Sequence, residues 1–179
     1  CTGGYISKKI TDIPNSSNYF IGSVVAYSNS VKEEILKVNA KTLVEKGAVS
    51  SEVALQMALG VMKKFKSNIG IATTGISGPS GGSKEKPVGL IYIAIVSKNR
   101  QVVKKFNLIP DREKHRRIAT QVCLNMLAMP WIATGVFVYQ SFITEAKGWG
   151  SFVIAQSFMA YSILSVLTLL GLSLIHISE

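Results

Sequence analysis

The sequence predicts an α/β fold, a three-layer α/β/α sandwich with a mixed sheet, followed by apolar helices. Three observations lead to this prediction. Segments with apolar residues at helical spacing alternate with runs rich in β-branched residues. One of those runs, 88–96, is almost continuously apolar, which is typical of a central strand covered on both faces. The predicted strands are 20–27, 68–74, 88–96 and 102–109.

Helix signals occur at four places before residue 128. A turn at Gly3 and Gly4 precedes a short amphipathic segment that Pro14 ends. Glu33 lies three residues after Ser30, which is the spacing of a capping box. The other two predicted helices begin at Ser50 and, with a basic segment, at Asp111.

Charge is distributed unevenly along the chain. Residues 1–117 carry 19 Lys and Arg against 8 Asp and Glu, a net charge of +11. Residues 118–179 carry Lys147 against Glu145 and Glu179, a net charge of −1. The basic part suits an anionic small molecule, whereas nucleic acid is disfavoured because no dense Lys/Arg run contains interleaved aromatic residues. Two cysteines and two histidines, all far apart, predict neither a disulfide framework nor a metal site.

The apolar part of the chain predicts a second region, 128–179, after a first domain at 1–127. Gly148 to Ile175 is a run of 28 residues without a charge, long enough to cross a bilayer, although a buried core helix is an alternative. The region resembles part of a membrane transporter of the major facilitator type. We therefore expect membrane contact through 131–175, or else a chimeric tail.

A glycine-rich loop, IATTGISGPSGGSKEKPVG at 71–89, is the most distinctive segment. It is not a Walker A loop, because Lys84 neither follows a glycine nor precedes Ser or Thr. It is not a dinucleotide fingerprint either, because a predicted strand follows it in place of a helix. Two interpretations stay open: backbone amides that converge on an anion or a reacting carbonyl oxygen, and a flexible connection within the sheet.

Several motifs occur in one order and together resemble the C-terminal domain of the CinA family, the nicotinamide mononucleotide amidohydrolases. They are CTGG at 1–4, the run 12–32, GAVS at 47–50, TTGISGPSGGSKEKPVG at 73–89 and DREKHRR at 111–117. The resemblance implies hydrolysis of the carboxamide of nicotinamide mononucleotide to nicotinic acid mononucleotide and ammonia. It also implies Ser-Lys chemistry with no metal or cofactor, a cytoplasmic location for 1–127, and a homo-oligomer. Family members place a strand ending in Glu-Ser before CTGG, so we expect that this strand is missing here.

The resemblance also implies the site residues. Ser17 is the expected nucleophile, Lys32 the base, and Tyr27 a hydrogen-bonding partner of the serine or the substrate. The substrate-binding residues it implies are Thr2, Gly3, Gly4, Thr74, Gly75, Gly78, Gly81, Gly82, Arg112 and Arg116.

Structural roles remain open for the same residues. Ser17 would then cap a turn, Lys32 would be a solvated helix lysine, Tyr27 a core residue, and Arg116 and Arg117 a solvated basic face. Two alternative functions follow: a non-catalytic nucleotide-binding module, or an inactive chimeric fragment with a membrane-inserting tail.

Overall fold

The computed structural model describes residues 1–128 of the 179-residue chain. Cys1–Leu127 form one compact unit. Its helices are α1 (Tyr5–Thr11), α2 (Asn29–Leu36), α3 (Ala40–Lys46), α4 (Ser51–Phe65) and α5 (112–128), with a 3-10 turn at Ser16–Asn18. Its strands are β1 (Ile69–Gly75), β2 (Leu90–Ser97) and β3 (Gln101–Asn107).

The α/β class is confirmed, but the prediction of a mixed sheet is wrong for the described residues. The three strands lie in the order β1-β2-β3, and both pairs are antiparallel. β2 is the central strand, and Leu90, Ile91 and Ile93 on it are almost completely buried. This burial explains why the run 88–96 is continuously apolar in sequence.

The segment 20–27, predicted as a strand, has no ladder partner among the described residues. Its burial nevertheless alternates residue by residue, which is the period of a strand with one covered face. Val24 and Ala26 pack against the core, whereas Ile21, Val25 and Tyr27 are exposed. The sheet of the described residues therefore has three antiparallel strands, and the segment 20–27 packs against the core without joining it.

Helices cover both faces of the sheet, as the three-layer prediction requires. On one face, side chains of α2, α3 and α4, including Leu36, Leu43 and Val53, form the larger apolar cluster. On the other face, Ala119 and Cys123 of α5 pack against Ile91 and Ile93, together with partly buried Ile6 of α1.

Helix starts follow capping chemistry, with one correction. The cap of α2 is Ser28, whose hydroxyl accepts from Val31 N–H at 3.2 Å, so the predicted cap at Ser30 is wrong by two residues. Ser50 and Asp111 cap α4 and α5 as predicted, through Val53 N–H and Lys114 N–H. The short helix α3 was not predicted, although its cap Asn39 carries the expected signal.

The predicted apolar helices, the transporter-like segment and the membrane contact through 131–175 lie outside the described residues. Within residues 1–128, no helix is long and apolar enough to cross a membrane.

Candidate functional site

A cleft of about 840 Å³ opens between the segment 20–27 and β1. Apolar side chains of α1, α4 and β1 line most of its length. At one end the lining becomes polar and cationic, and there the turn at the chain start, α2, the end of β1 and α5 meet. The polar and charged residues at this end are Thr2, Lys32, Thr73, Thr74, Ser77, Arg112 and Arg116.

Lys32 is the buried cationic side chain of this cleft. Only 6% of its surface is exposed, so its interpretation as a solvated helix lysine is wrong. Its Nζ donates to the backbone carbonyl oxygens of Tyr27 and Ser28, each at 3.2 Å. No acidic side chain among residues 1–128 forms an ion pair with it. Burial lowers the pKa of Lys32, which favours the neutral amine that a general base requires.

Four hydroxyl groups lie near the carboxyl end of β1. Thr2 Oγ1 and Thr73 Oγ1 are 3.2 Å apart. Thr74 Oγ1 donates to the carbonyl oxygen of Ala48 at 2.6 Å, and Ser77 Oγ donates to that of Cys1 at 3.1 Å. The last two hydroxyls are therefore engaged as donors, but each keeps lone pairs that can accept a hydrogen bond from a ligand.

Arg112 and Arg116 reach the cleft from one face of α5. Arg112 Nη1 donates to the carbonyl oxygen of Gly78 at 2.9 Å, which ties α5 to the glycine-rich loop. Arg116 Nε donates to the carbonyl oxygen of Thr2 at 3.3 Å, and its guanidinium lies 4.6 Å from the ring centroid of Tyr5. A guanidinium has five donors, so both side chains retain N–H groups for an anion.

Three cationic side chains line the polar end of the cleft: Lys32, Arg112 and Arg116. Together they produce a positive potential in a partly buried space. Such a potential favours an anionic ligand.

The glycine-rich loop contributes less to the cleft than predicted. Gly75 lines it at the end of β1, whereas Gly78, Gly81 and Gly82 do not. Gly81 and Gly82 are exposed. Gly78 is buried, and its carbonyl oxygen accepts a hydrogen bond from Arg112. In this structure these three glycines therefore do not line the cleft, and their predicted contacts to substrate stay a prediction.

Ser17 and Tyr27 differ in their position relative to the cleft. Ser17 is exposed on the 3-10 turn and does not line the cleft, and no described hydrogen bond joins it to Lys32. Tyr27 lines the cleft; it is 81% exposed, so it is not a core residue, and its backbone carbonyl oxygen accepts a hydrogen bond from Lys32. The catalytic roles of both residues stay predictions.

Two cleft residues, Thr73 and Ser77, were not singled out from the sequence. Both lie in the TTGIS run at 73–77, and only the fold shows that their hydroxyls contact the turn at Cys1 and Thr2.

Arg117 has the structural role that the sequence left open for it. It forms an exposed ion pair with Glu113 at 2.8 Å and lies outside the cleft lining, as a solvated residue would.

His115, beneath the glycine-rich loop, is fully buried between α5 and the start of β2. Its Nε2 lies 3.2 Å from the carbonyl oxygen of Gly89, which can only accept, so Nε2 carries the proton. Nδ1 is buried and has no partner among the described residues. Burial is the main cause that lowers the pKa of His115 below its ordinary value of 6.5. The neutral ring is therefore the form that the fold stabilises.

This burial predicts a pH-dependent stability. Because the unfolded chain binds the proton more readily, the contribution of His115 is complete above pH 6.5 and is lost as the pH falls below that value. Between pH 7 and 5 we expect the free energy of unfolding to fall by up to about 1.4 kcal/mol per pH unit relative to His115→Gln. Glutamine can donate to Gly89 without titrating. Equal pH slopes for the two proteins, measured by urea unfolding, would contradict this prediction.

Comparison with known proteins identifies the family. The family model of the CinA C-terminal domain matches residues 1–130. The chain belongs to the CinA C-terminal domain family. It is 48% identical over 132 residues to a CinA-like protein of Geotalea uraniireducens, covering 74% of this chain and 30% of that protein. The chain thus spans about 30% of the length of the curated CinA-like relatives it matches.

Solved structures give the same result for the fold. The competence/damage inducible protein CihA from Agrobacterium tumefaciens matches with a TM-score of 0.70 and 38% identity, covering 72% of this chain and 79% of that chain. The competence damage-inducible protein A (ComA) from Klebsiella pneumoniae matches with a TM-score of 0.70 and 27% identity, covering 72% and 80%. The CinA fold is therefore established for this domain, whereas these names do not specify a reaction.

Proposed function

We propose that this CinA-family domain is an amidohydrolase that converts nicotinamide mononucleotide to nicotinic acid mononucleotide and ammonia. The observation that carries the proposal is the position of Lys32. A buried amine with a lowered pKa shares one cleft with two arginines that retain free donors. A base beside an anion-binding group is what hydrolysis of an amide on a phosphate-bearing substrate requires.

The proposed chemistry assigns phosphate binding to the two arginines and proton transfer to Lys32. Arg112 and Arg116 hold the phosphate, which suits their forked donors. Neutral Lys32 takes the proton of the attacking hydroxyl, which then adds to the carboxamide carbon. The resulting ammonium of Lys32 returns the proton to the departing nitrogen, so that ammonia leaves and an ester between the hydroxyl and the nicotinoyl group remains. Water, which gives its proton to Lys32 once that amine is neutral again, hydrolyses this ester, releases nicotinic acid mononucleotide and restores the hydroxyl. The side chains of Thr2, Thr73 and Thr74 line the same cleft, and their hydroxyls are proposed to orient the carboxamide.

The nucleophile of this proposal can be tested separately from the base. The family resemblance implies Ser17, but Ser17 lies outside the cleft in this structure. A Ser17→Ala variant tests the Ser17 assignment independently of the amidase proposal. Loss of turnover would support Ser17 and would require the 3-10 turn to move, whereas full turnover would exclude Ser17 and leave the amidase proposal intact.

The decisive experiment measures ammonia release from nicotinamide mononucleotide by the purified chain. A parallel protein should carry, before Cys1, the segment that precedes the matched region in the Geotalea relative. We expect turnover with the nucleotide and none with free nicotinamide, because the free base lacks the phosphate that the arginines hold. Absence of ammonia from both proteins would exclude the amidase. Calorimetric binding of the nucleotide without turnover would favour the alternative, a non-catalytic nucleotide-binding module.

A further inference from the structure

Arg116 is held in place by three contacts with the turn at 2–5. Its Nε donates to the carbonyl oxygen of Thr2 at 3.3 Å, and its Nη2 donates to that of Gly3 at 3.5 Å. Its Cζ atom lies over the ring of Tyr5, 4.6 Å from the ring centroid. A cation at that distance from an aromatic ring is attracted by the negative face of the ring.

The local sequence explains how the turn comes so close to the guanidinium. Gly3 and Gly4 have φ angles of 57° and 89°, which glycine adopts without strain, and α1 begins at Tyr5 directly after them. A Cβ at Gly3 would lie 2.7 Å from Nη2 of Arg116, so a larger residue would push the guanidinium away. The carbonyl oxygen of Thr2 accepts from the N–H of Tyr5 as well as from Arg116, so the ring and the guanidinium are fixed to one backbone group.

Arg112, one turn earlier on α5, is held less firmly. Its Nη1 donates to the carbonyl oxygen of Gly78, but the residue is exposed, and no aromatic ring among residues 1–128 lies beneath its guanidinium. Neither arginine forms an ion pair with an acidic side chain of the described residues. Arg116 therefore combines a fixed position with a charge that no neighbouring carboxylate neutralises.

Tyr5 does not line the cleft, so its effect on a ligand has to pass through Arg116. The ring attracts the charge of the guanidinium and does not occupy one of its N–H groups. Two of the five N–H groups donate to the turn, which leaves three for an anion. A side chain that is already ordered loses less conformational entropy when it binds, so the contact with Tyr5 should raise the affinity of Arg116 for an anion.

We propose that Tyr5 is a positioning residue, whose ring orders Arg116 in advance and makes Arg116 the stronger of the two arginines in binding the phosphate of the substrate. The inference rests on the proposed function, because it takes the phosphate to be that of nicotinamide mononucleotide. No proton transfer or bond-forming step is assigned to Tyr5.

The test measures the calorimetric affinity of the purified chain for inorganic phosphate and for nicotinamide mononucleotide, together with kcat and KM for ammonia release. Tyr5→Leu removes the ring and keeps an apolar side chain. We expect both dissociation constants and KM to rise about fivefold with kcat unchanged. Tyr5→Phe keeps the ring and should behave as the wild type. Arg116→Ala should weaken phosphate binding more than Arg112→Ala.

A double-mutant cycle separates positioning from a purely structural role. In an Arg116→Ala background, Tyr5→Leu should cause no further loss of affinity, because the ring then has no guanidinium to hold. Tyr92→Leu is the matched control. Tyr92 is also partly buried, but it packs against the apolar cluster beneath α4 and does not line the cleft, so phosphate affinity and KM should not change.

Several outcomes would overturn the proposal. They are unchanged phosphate affinity in Tyr5→Leu, an equal loss in the Arg116→Ala background, a loss in Tyr5→Phe, and wild-type protein that binds neither probe. A greater loss in Arg112→Ala than in Arg116→Ala would overturn it even if Tyr5→Leu did not fold. If Tyr5→Leu weakens phosphate binding while the wild type releases no ammonia, the inference stands and the proposed reaction fails. Wild-type turnover with an unchanged KM in Tyr5→Leu would exclude the role of Tyr5 and leave the reaction in place.

Discussion

Lys32→Met is expected to reduce ammonia release from nicotinamide mononucleotide by about a thousandfold, because the proposed proton acceptor is removed. The effect should appear in kcat, with KM changed little, since in our proposal the phosphate is held by Arg112 and Arg116. Lys32→Arg should be as inactive as Lys32→Met, because a guanidinium stays protonated at all working pH values.

In contrast to turnover, the free energy of unfolding should not fall much in Lys32→Met. The buried amine forms no ion pair with the described residues, so methionine of similar length should leave the unfolding free energy within about 1 kcal/mol or raise it. The pH dependence has a definite sign. Because the pKa of Lys32 is lowered by folding, the unfolded chain binds more protons, and the wild-type protein gains stability relative to Lys32→Met as the pH rises toward 10.5.

Lys41→Met is the matched control for this prediction. Lys41 is exposed on α3 and has only a 3.7 Å surface ion pair with Glu45, so neither turnover nor the pH slope of stability should change. Full turnover by Lys32→Met would exclude Lys32 as the base. If turnover is lost together with more than about 2 kcal/mol of stability, the loss of activity would be a folding effect.

Periodicity was sufficient to predict most of the secondary structure. Ile91 and Ile93 lie in a run apolar enough to indicate a central strand, and Ser50 and Asp111 marked helix starts through capping chemistry that acts within three residues. The segment 20–27 shows the limit of this reasoning. Its alternation is that of a strand, but a strand is defined by a partner, and no local pattern shows whether the partner is present.

Residues of the site were predictable where their chemistry is local, and not where it depends on contacts distant in sequence. Lys32 and the two arginines of α5 carry the cationic character that the sequence indicated. Their convergence depends on Arg116 reaching the carbonyl of Thr2, 114 residues away. The orientation of the glycine-rich loop depends likewise on Arg112 binding Gly78, so a glycine pattern alone could not show which amides face the cleft.

Gly60→Ala is expected to destabilise the domain, although the same change in a solvated helix stabilises by about 1 kcal/mol. The reason is the crossing of α4 and α2. A Cβ at Gly60 would collide with the carbonyl oxygen of Leu36 and would lie 2.8 Å from its carbonyl carbon. Backbone atoms cannot rotate away as a side chain can, so we expect a net loss of about 2 kcal/mol in unfolding free energy.

This close contact also bears on the site, because Leu36 ends the helix that carries Lys32. The N–H of Lys37 donates to the carbonyl oxygen of Lys32, so displacement of that helix end moves the backbone of the proposed base. The folded Gly60→Ala protein should therefore be less active than the wild type, so that turnover falls by more than the unfolded fraction of the variant explains. Lys64→Ala, on the exposed side of the same helix, should change stability by less than about 0.5 kcal/mol and leave turnover unchanged. A Gly60→Ala protein that is more stable in urea than the wild type would show that α2 and α4 do not pack at this distance.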